Sequence, residues 1–260
     1  MQIKEFSLLS KLFSELPYPK FGLIGHRGLA GRAPENTLAS FREAAKLGLN
    51  WVEFDVQCCA SGEWVLFHDA TLKRTTNGDG LVAEIPYKTL QTLDAGSWFD
   101  PRFQNEPVPL FSEALTLLAQ LGLYPNIEIK ANFSEKSLRM QDFLSQIHRH
   151  WPAPLSPPLV SSFDSELLAI LRSLSPQIPL GYLTHDFSEE AVSLVLTQQF
   201  DTLHCQDTFT NLEPLQWAQK QGVPLLVYTV NDPKRIQQLL EAGATAVFSD
   251  ITNEIFLLKD

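Results

Sequence analysis

Short apolar runs rich in β-branched and aromatic residues alternate along the chain with longer stretches in which apolar residues recur every three or four positions. The runs at 21–28, 51–57, 126–130, 158–163, 178–183, 202–206, 223–230 and 244–250 predict strands. The stretches at 36–47, 134–148, 164–174, 188–198, 212–221 and 233–241 predict helices. Such alternation with few hairpin signals implies parallel strands joined by crossover helices. Eight strands in 260 residues have the rhythm of an α/β TIM-like (β/α)8 barrel, with a doubly wound open sheet as runner-up.

Two segments break the rhythm. A ninth strand-like run at 63–69 follows the run at 51–57 after a link too short for a crossover helix, so it reads as a hairpin-like return beside the barrel. Residues 70–109 carry turn chemistry at 75–80, 94–96, 98–101 and 107–109, with one brief helical patch at 86–93. The segment reads as a small inserted cap over one barrel end, within a single domain over 1–260. At the start of the chain, Phe6, Leu9, Leu12, Phe13 and Leu16 are spaced as a short amphipathic helix packed on the domain. Asn36 is the expected N-cap of a helix that buries Leu38, Phe41, Ala45 and Leu49.

Composition removes several classes. The chain is 44% hydrophobic and 19% charged, which excludes disorder, and its 13 Gly and 17 Pro show no collagen-like period. Twenty Lys and Arg against 30 Asp and Glu give a net charge of −10, which opposes non-specific nucleic-acid binding. An anionic substrate would need local attraction. No apolar run approaches the roughly 20 residues of a membrane span, and Lys4, Glu5, Lys11 and Glu15 interrupt what would otherwise resemble a signal peptide. Cys58, Cys59 and Cys205 form no Cys-x-x-Cys pair, which points to three free structural thiols and a cytoplasmic location.

Charged residues punctuate the predicted strands. His26 and Arg27 lie at the end of the first, where barrel active sites sit. The glycines at 25, 28 and 31 do not have nucleotide-loop spacing. Within 51–57, Glu53 and Asp55 are two residues apart and so share a face, opposite Val52, Phe54 and Val56. Such a pair either bonds loop amides and a neighbouring Arg, or holds a hard divalent cation. Glu128 and Lys130 repeat the pattern on another strand, as a buried ion pair or as part of the same site. His68 follows the apolar run at 63–67. Taken singly each has a structural reading, but one site built from several strand ends accounts for all of them. Carboxylates for a cation, Arg and Lys for phosphate oxygens and two His for protons suit metal-assisted phosphoryl chemistry. His148 and His150 read as surface residues at a helix end, and His185 and His204 receive no role.

His26-Arg27-Gly28, Pro34-Glu35-Asn36-Thr37, Glu53-x-Asp55, His68-Asp69 and Glu128-x-Lys130, in that order, resemble the glycerophosphodiester phosphodiesterases. Further matches at 75–78, 95–99, 161–164, 228–231 and 249–250 extend the resemblance over nearly the whole chain. It implies a TIM-like barrel with an insertion after the second His. The implied reaction hydrolyses glycerophosphodiesters such as glycerophosphocholine or glycerophosphoethanolamine to sn-glycerol 3-phosphate and an alcohol. By this resemblance His26 and His68 are the catalytic acid/base pair, and Glu53, Asp55 and Glu128 ligate one divalent cation, Mg²⁺ or Ca²⁺ with Mn²⁺ an option. Arg27 and Lys130 bind the substrate phosphate, and Trp98, Phe163 and Tyr228 are candidate pocket residues. Tyr228 stands where many members carry Trp, and Leu110 follows Pro109 where Thr is commoner. The want of a signal peptide resembles the cytosolic bacterial-type branch.

On this reading the nucleophile is either water or the substrate's own glycerol hydroxyl, which would form a cyclic phosphate. Two other readings compete: a lysophospholipase D-type phosphodiesterase acting on longer-chain lipids, and a non-catalytic phosphodiester-binding protein. The expected partner is a small glycerophosphodiester, with no nucleic acid and no transmembrane segment. The sequence leaves the oligomeric state open.

Overall fold

The computed structural model describes residues 22–209 and 211–251. Its strands are β1 (Leu23–Gly25), β2 (Trp51–Cys58), β3 (Trp64–Leu66), β4 (Tyr124–Ile129) and β5 (Leu159–Ser162). They continue with β6 (Leu180–Thr184), β7 (Thr202–Gln206), β8 (Leu225–Tyr228) and β9 (Ala246–Ser249). All but β3 are parallel neighbours in one sheet, and β1 pairs with both β2 and β9, which closes the sheet into an eight-stranded TIM barrel. This closure excludes the open doubly wound sheet. Antiparallel β3 returns along β2, with Val56 opposite Leu66, as the short link at 58–62 requires.

The helices are α1 (Leu38–Lys46), α2 (Tyr87–Leu90), α3 (Phe111–Leu121), α4 (Lys136–His150), α5 (Ser165–Leu174), α6 (Glu189–Gln198), α7 (Glu213–Lys220) and α8 (Pro233–Glu241). Outward-facing Val52, Phe54 and Val56 join buried helix residues such as Phe41, Leu115, Phe143 and Leu171 in the large core between strands and helices. A smaller cluster of Ile24, Trp51, Leu159, Leu226, Ala246 and Phe248 fills the lower barrel interior. Cys58, Cys59 and Cys205 are buried and free. Among the described residues no helix is long and apolar enough to cross a membrane. The expected N-terminal amphipathic helix lies outside the described residues.

Residues 70–109 are as irregular as their turn chemistry implies, with two short 3₁₀ turns and the four-residue α2. Leu72, Val82, Leu90, Ala95 and Val108 form a separate small core with Val65 and Phe67 of the β3 region. The segment rests against the start of α1, where Ala39 N–H donates to Glu106 Oε1 at 3.0 Å.

Two local expectations are corrected. The N-cap of α1 is Thr37, whose Oγ1 accepts from Ser40 N–H, because Asn36 adopts φ +56° and turns its carboxamide toward β2. The helix accordingly buries Ser40, Phe41 and Ala44, while Leu38 and Ala45 are half-buried. Helix α3 lies just beyond the insertion, where the sequence pattern predicts none, and supplies the crossover into β4.

Candidate active site

The barrel strands deliver their last interior-facing side chains to one mouth. Pairing of β2 with β4 sets Asp55 opposite Glu128 and Glu53 opposite Asn126. Glu53, Asp55 and Glu128 thereby offer carboxylate oxygens within 4.8 Å of one another. Glu53 and Asp55 are almost fully buried.

The turn after β1 completes the mouth. Arg27 has φ +50° and Gly28 φ +87°, and a Cβ on Gly28 would come within 2.1 Å of Ser40 Oγ. Only glycine fits that second position without strain. The turn aims Arg27 N–H at Glu53 Oε2 (2.8 Å) and Gly28 N–H at the Glu53 carbonyl (2.7 Å). Asn36 secures the neighbouring carboxylate: its Nδ2 donates to Asp55 Oδ2 at 2.8 Å, and its Oδ1 accepts from Asp55 N–H at 3.0 Å.

The predicted cations converge on the same carboxylates. Lys130 Nζ donates to Glu128 Oε1 and lies 2.8 Å from Asp55 Oδ1. Arg27 Nη1 donates to Glu35 Oε1 at 2.6 Å, and its Nε lies 3.6 Å from Asp55 Oδ2. Electrostatics divides the three acids. Burial, reinforced by the charges of Asp55 and Glu128, pushes Glu53 well above the usual carboxylate range. Burial and Asp55 push Glu128 up to about 7. Burial acts against Asp55 too, yet Lys130 and Arg27 hold it well below its ordinary value.

This donor set fits a hard divalent cation: three carboxylates share one spot, and Lys130 pairs with Asp55 and Glu128 while Arg27 pairs with Glu35 and Asp55, leaving Glu53 short of positive charge.

Both predicted histidines flank the cluster with the same orientation device. His26 Nδ1–H donates to Asp250 Oδ1 at 2.7 Å, and Asp250 is steadied by Asn231 Nδ2 (2.7 Å). His26 Nε2 is left facing Thr229 Oγ1 at 3.5 Å and Glu53 Oε2 at 4.0 Å. His68 Nδ1–H donates to Asp69 Oδ1 at 2.7 Å. Burial lowers the pKa of His68 against the opposing pull of Asp55. A carboxylate on Nδ1 fixes the tautomer and leaves Nε2 to exchange protons.

Below the carboxylates is a small pocket lined by His26, Glu53, Glu128, Tyr228, His204 and Phe248 among others. Phe163 stacks near His185 (4.9 Å between centroids) and lies 6.4 Å from Tyr228, whose hydroxyl donates to the Thr184 carbonyl at 2.8 Å. Trp98 belongs to a different aromatic group, with Phe99 in the inserted segment, and donates its Nε1–H to the Ala95 carbonyl. His148 and His150 lie in the last turn of α4, His148 exposed as expected and His150 half-buried.

Glu35, Asp69 and Asp250 lie within the sequence motifs but carry no predicted role, and Asn36 is predicted only as a cap. Only Asp69 carries a local signal, its adjacency to His68; Glu35 and Asp250 lie 8 and 224 positions from Arg27 and His26. His204 lies in the strand predicted at 202–206, but no neighbouring charge or motif in the sequence marks it for a role.

Comparison with known proteins agrees with this geometry. A sequence model of the glycerophosphoryl diester phosphodiesterase family matches residues 26–254. The chain is 28% identical over 239 residues to a glycerophosphodiester phosphodiesterase of Caldanaerobacter subterraneus subsp. tengcongensis, covering 88% of this chain and 93% of that protein. It is 29% identical over 241 residues to one from Bacillus altitudinis, covering 92% and 98%. Its fold is similar to that of an Oleispira antarctica phosphodiesterase solved in complex with the product sn-glycerol-3-phosphate. That pair has a TM-score of 0.88 and 35% identity, covering 94% of this chain and 97% of the other.

Proposed function

Because the chain belongs to the glycerophosphoryl diester phosphodiesterase family, we propose that it hydrolyses small glycerophosphodiesters, glycerophosphocholine and glycerophosphoethanolamine among them, to sn-glycerol 3-phosphate and an alcohol. The observation that carries the reading is the convergence of two carboxylate-oriented histidines on one cluster of three acids.

Glu53, Asp55 and Glu128 would hold one divalent cation, Mg²⁺, Ca²⁺ or Mn²⁺. The cation would neutralise charge on the phosphoryl oxygens and draw the anionic substrate to a protein whose net charge is −10. Arg27 and Lys130 remain protonated at the mouth and supply further countercharge to the phosphate. His26 and His68 divide the proton transfers. One takes the proton of the attacking hydroxyl at Nε2 and the other delivers a proton to the departing alkoxide, while Asp250 and Asp69 stabilise the imidazolium forms. Phe163 and Tyr228 give the organic part of the substrate an aromatic wall, and Trp98 is the cap's candidate for the same role. The three buried free cysteines support a cytoplasmic setting.

The test is release of sn-glycerol 3-phosphate from glycerophosphocholine by purified protein. Release that chelator abolishes, that each of Mg²⁺, Ca²⁺ and Mn²⁺ is then tried in restoring, and that His26→Ala removes supports the reading. Cation binding without release from any diester would instead mark a binding protein, and release from lysophospholipids alone a lysophospholipase D.

A further inference from the structure

We propose that Arg74, in the inserted segment, is a positioning residue that holds His68 and Arg27 in register through a single guanidinium. The inference rests on the reading of the site given above. Arg74 grips two carboxylates at once. Its Nε and Nη2 donate to Asp69 Oδ2 and Oδ1 at 2.6 and 2.9 Å. Its Nη1 and Nη2 donate to Glu35 Oε2 and Oε1 at 2.7 and 2.8 Å.

Each carboxylate has a second partner. Asp69 Oδ1 accepts from His68 Nδ1–H and Glu35 Oε1 accepts from Arg27 Nη1–H. A continuous chain therefore runs His68–Asp69–Arg74–Glu35–Arg27, with members from the loop after β1, the loop after β3 and the insertion. Planar two-pronged contacts of this kind fix direction as well as charge, which an ammonium group does not. The Arg74 side chain is 44% exposed, and ion pairs that open to solvent add little to folding stability. What this one adds is geometry. The arrangement is peculiar to the His68 side, since Asp250 leans on the neutral amide of Asn231.

The experiment compares Arg74→Ala and Arg74→Lys with the parent protein. It reads kcat and KM, the thermal midpoint, and the ¹⁵N-histidine NMR signal of the His68 Nδ1–H. Arg74→Ala is expected to keep its midpoint within a few degrees, shift or broaden the His68 signal, and lose about 10- to 100-fold in kcat. Added guanidinium should recover part of that loss, and Arg74→Lys should restore little of it. An unchanged His68 signal in Arg74→Ala overturns the proposal. So does full activity in Arg74→Lys alongside a large fall in the midpoint of Arg74→Ala, because a point charge would then suffice to dock the insertion. If the parent protein hydrolyses no glycerophosphodiester, the functional reading fails while the His68 signal still decides the role of Arg74.

Discussion

The mouth and the floor of the barrel are built from the same strands yet are chemical opposites. On β2, Trp51 belongs to the apolar floor and Glu53 and Asp55 to the charged mouth, a separation of about 6–7 Å per two residues of strand. The histidines follow the same division. His26 and His68 each donate to a carboxylate, whereas fully buried His204 shares a hydrogen bond of 2.9 Å with Thr202 Oγ1 and packs against Phe248. Burial alone drives His204 down to about 3, so it stays neutral. Charge is confined to the layer where turn amides, Asn36 and opposite charges can compensate it. Beneath lies an uncharged support built on Ile24, Trp51, Leu159, Leu226, Ala246 and Phe248.

This contrast is sharpest if mouth substitutions remove activity and floor substitutions remove stability. His26→Ala and His68→Ala should each lower kcat by about 10²–10⁴-fold with the thermal midpoint nearly unchanged. Near-parental turnover in either variant would erase the distinction. Phe248→Ala should cost about 3–5 kcal/mol in denaturant unfolding, with kcat of the folded fraction little altered.

The neutral floor also has a pH signature. An unfolded chain protonates His204 below about pH 6.5 while the folded one refuses the proton down to about 3. This contribution to stability is therefore complete above pH 6.5 and falls by roughly 1 kcal/mol per unit as pH drops through that window. Replacing His204 with Asn should flatten the slope in urea titrations between pH 4 and 6.5, and an unaltered slope would contradict a neutral floor. The smallest effect is expected at the boundary: Tyr228→Phe loses the bond to the Thr184 carbonyl, about 1 kcal/mol in the same assay.

Much of this division is legible in the sequence, because a strand's alternation announces which residues share a face. Glu53, Asp55, Glu128 and Lys130 are readable for that reason. What escapes is whatever depends on closure. His26 and Asp250 are 224 positions apart, and only the β1–β9 pairing makes them neighbours. Helix α3 escapes for a local reason: no Ser, Thr, Asp or Asn precedes it, and its first turn is secured from inside, with Leu110 N–H donating to Glu113. Asn36 misleads because the rule for a cap fits it as well as Thr37, and the left-handed turn that recruits it to Asp55 has no signature of its own.

The seam between β1 and β9 also sets a clock. A ribosome that has added Lys130 has already made both histidines, all three acids and both cations of the mouth. The residue that orients His26 comes 120 positions later, on the order of ten seconds at typical elongation rates. Through that interval the nascent chain carries the groups of the mouth without the last strand that aligns them. The mouth is therefore completed only by a long-range pairing of the kind that folds slowly, and a translation product that stops short of Asp250 would hold nearly the full inventory of the mouth without the carboxylate to which His26 donates.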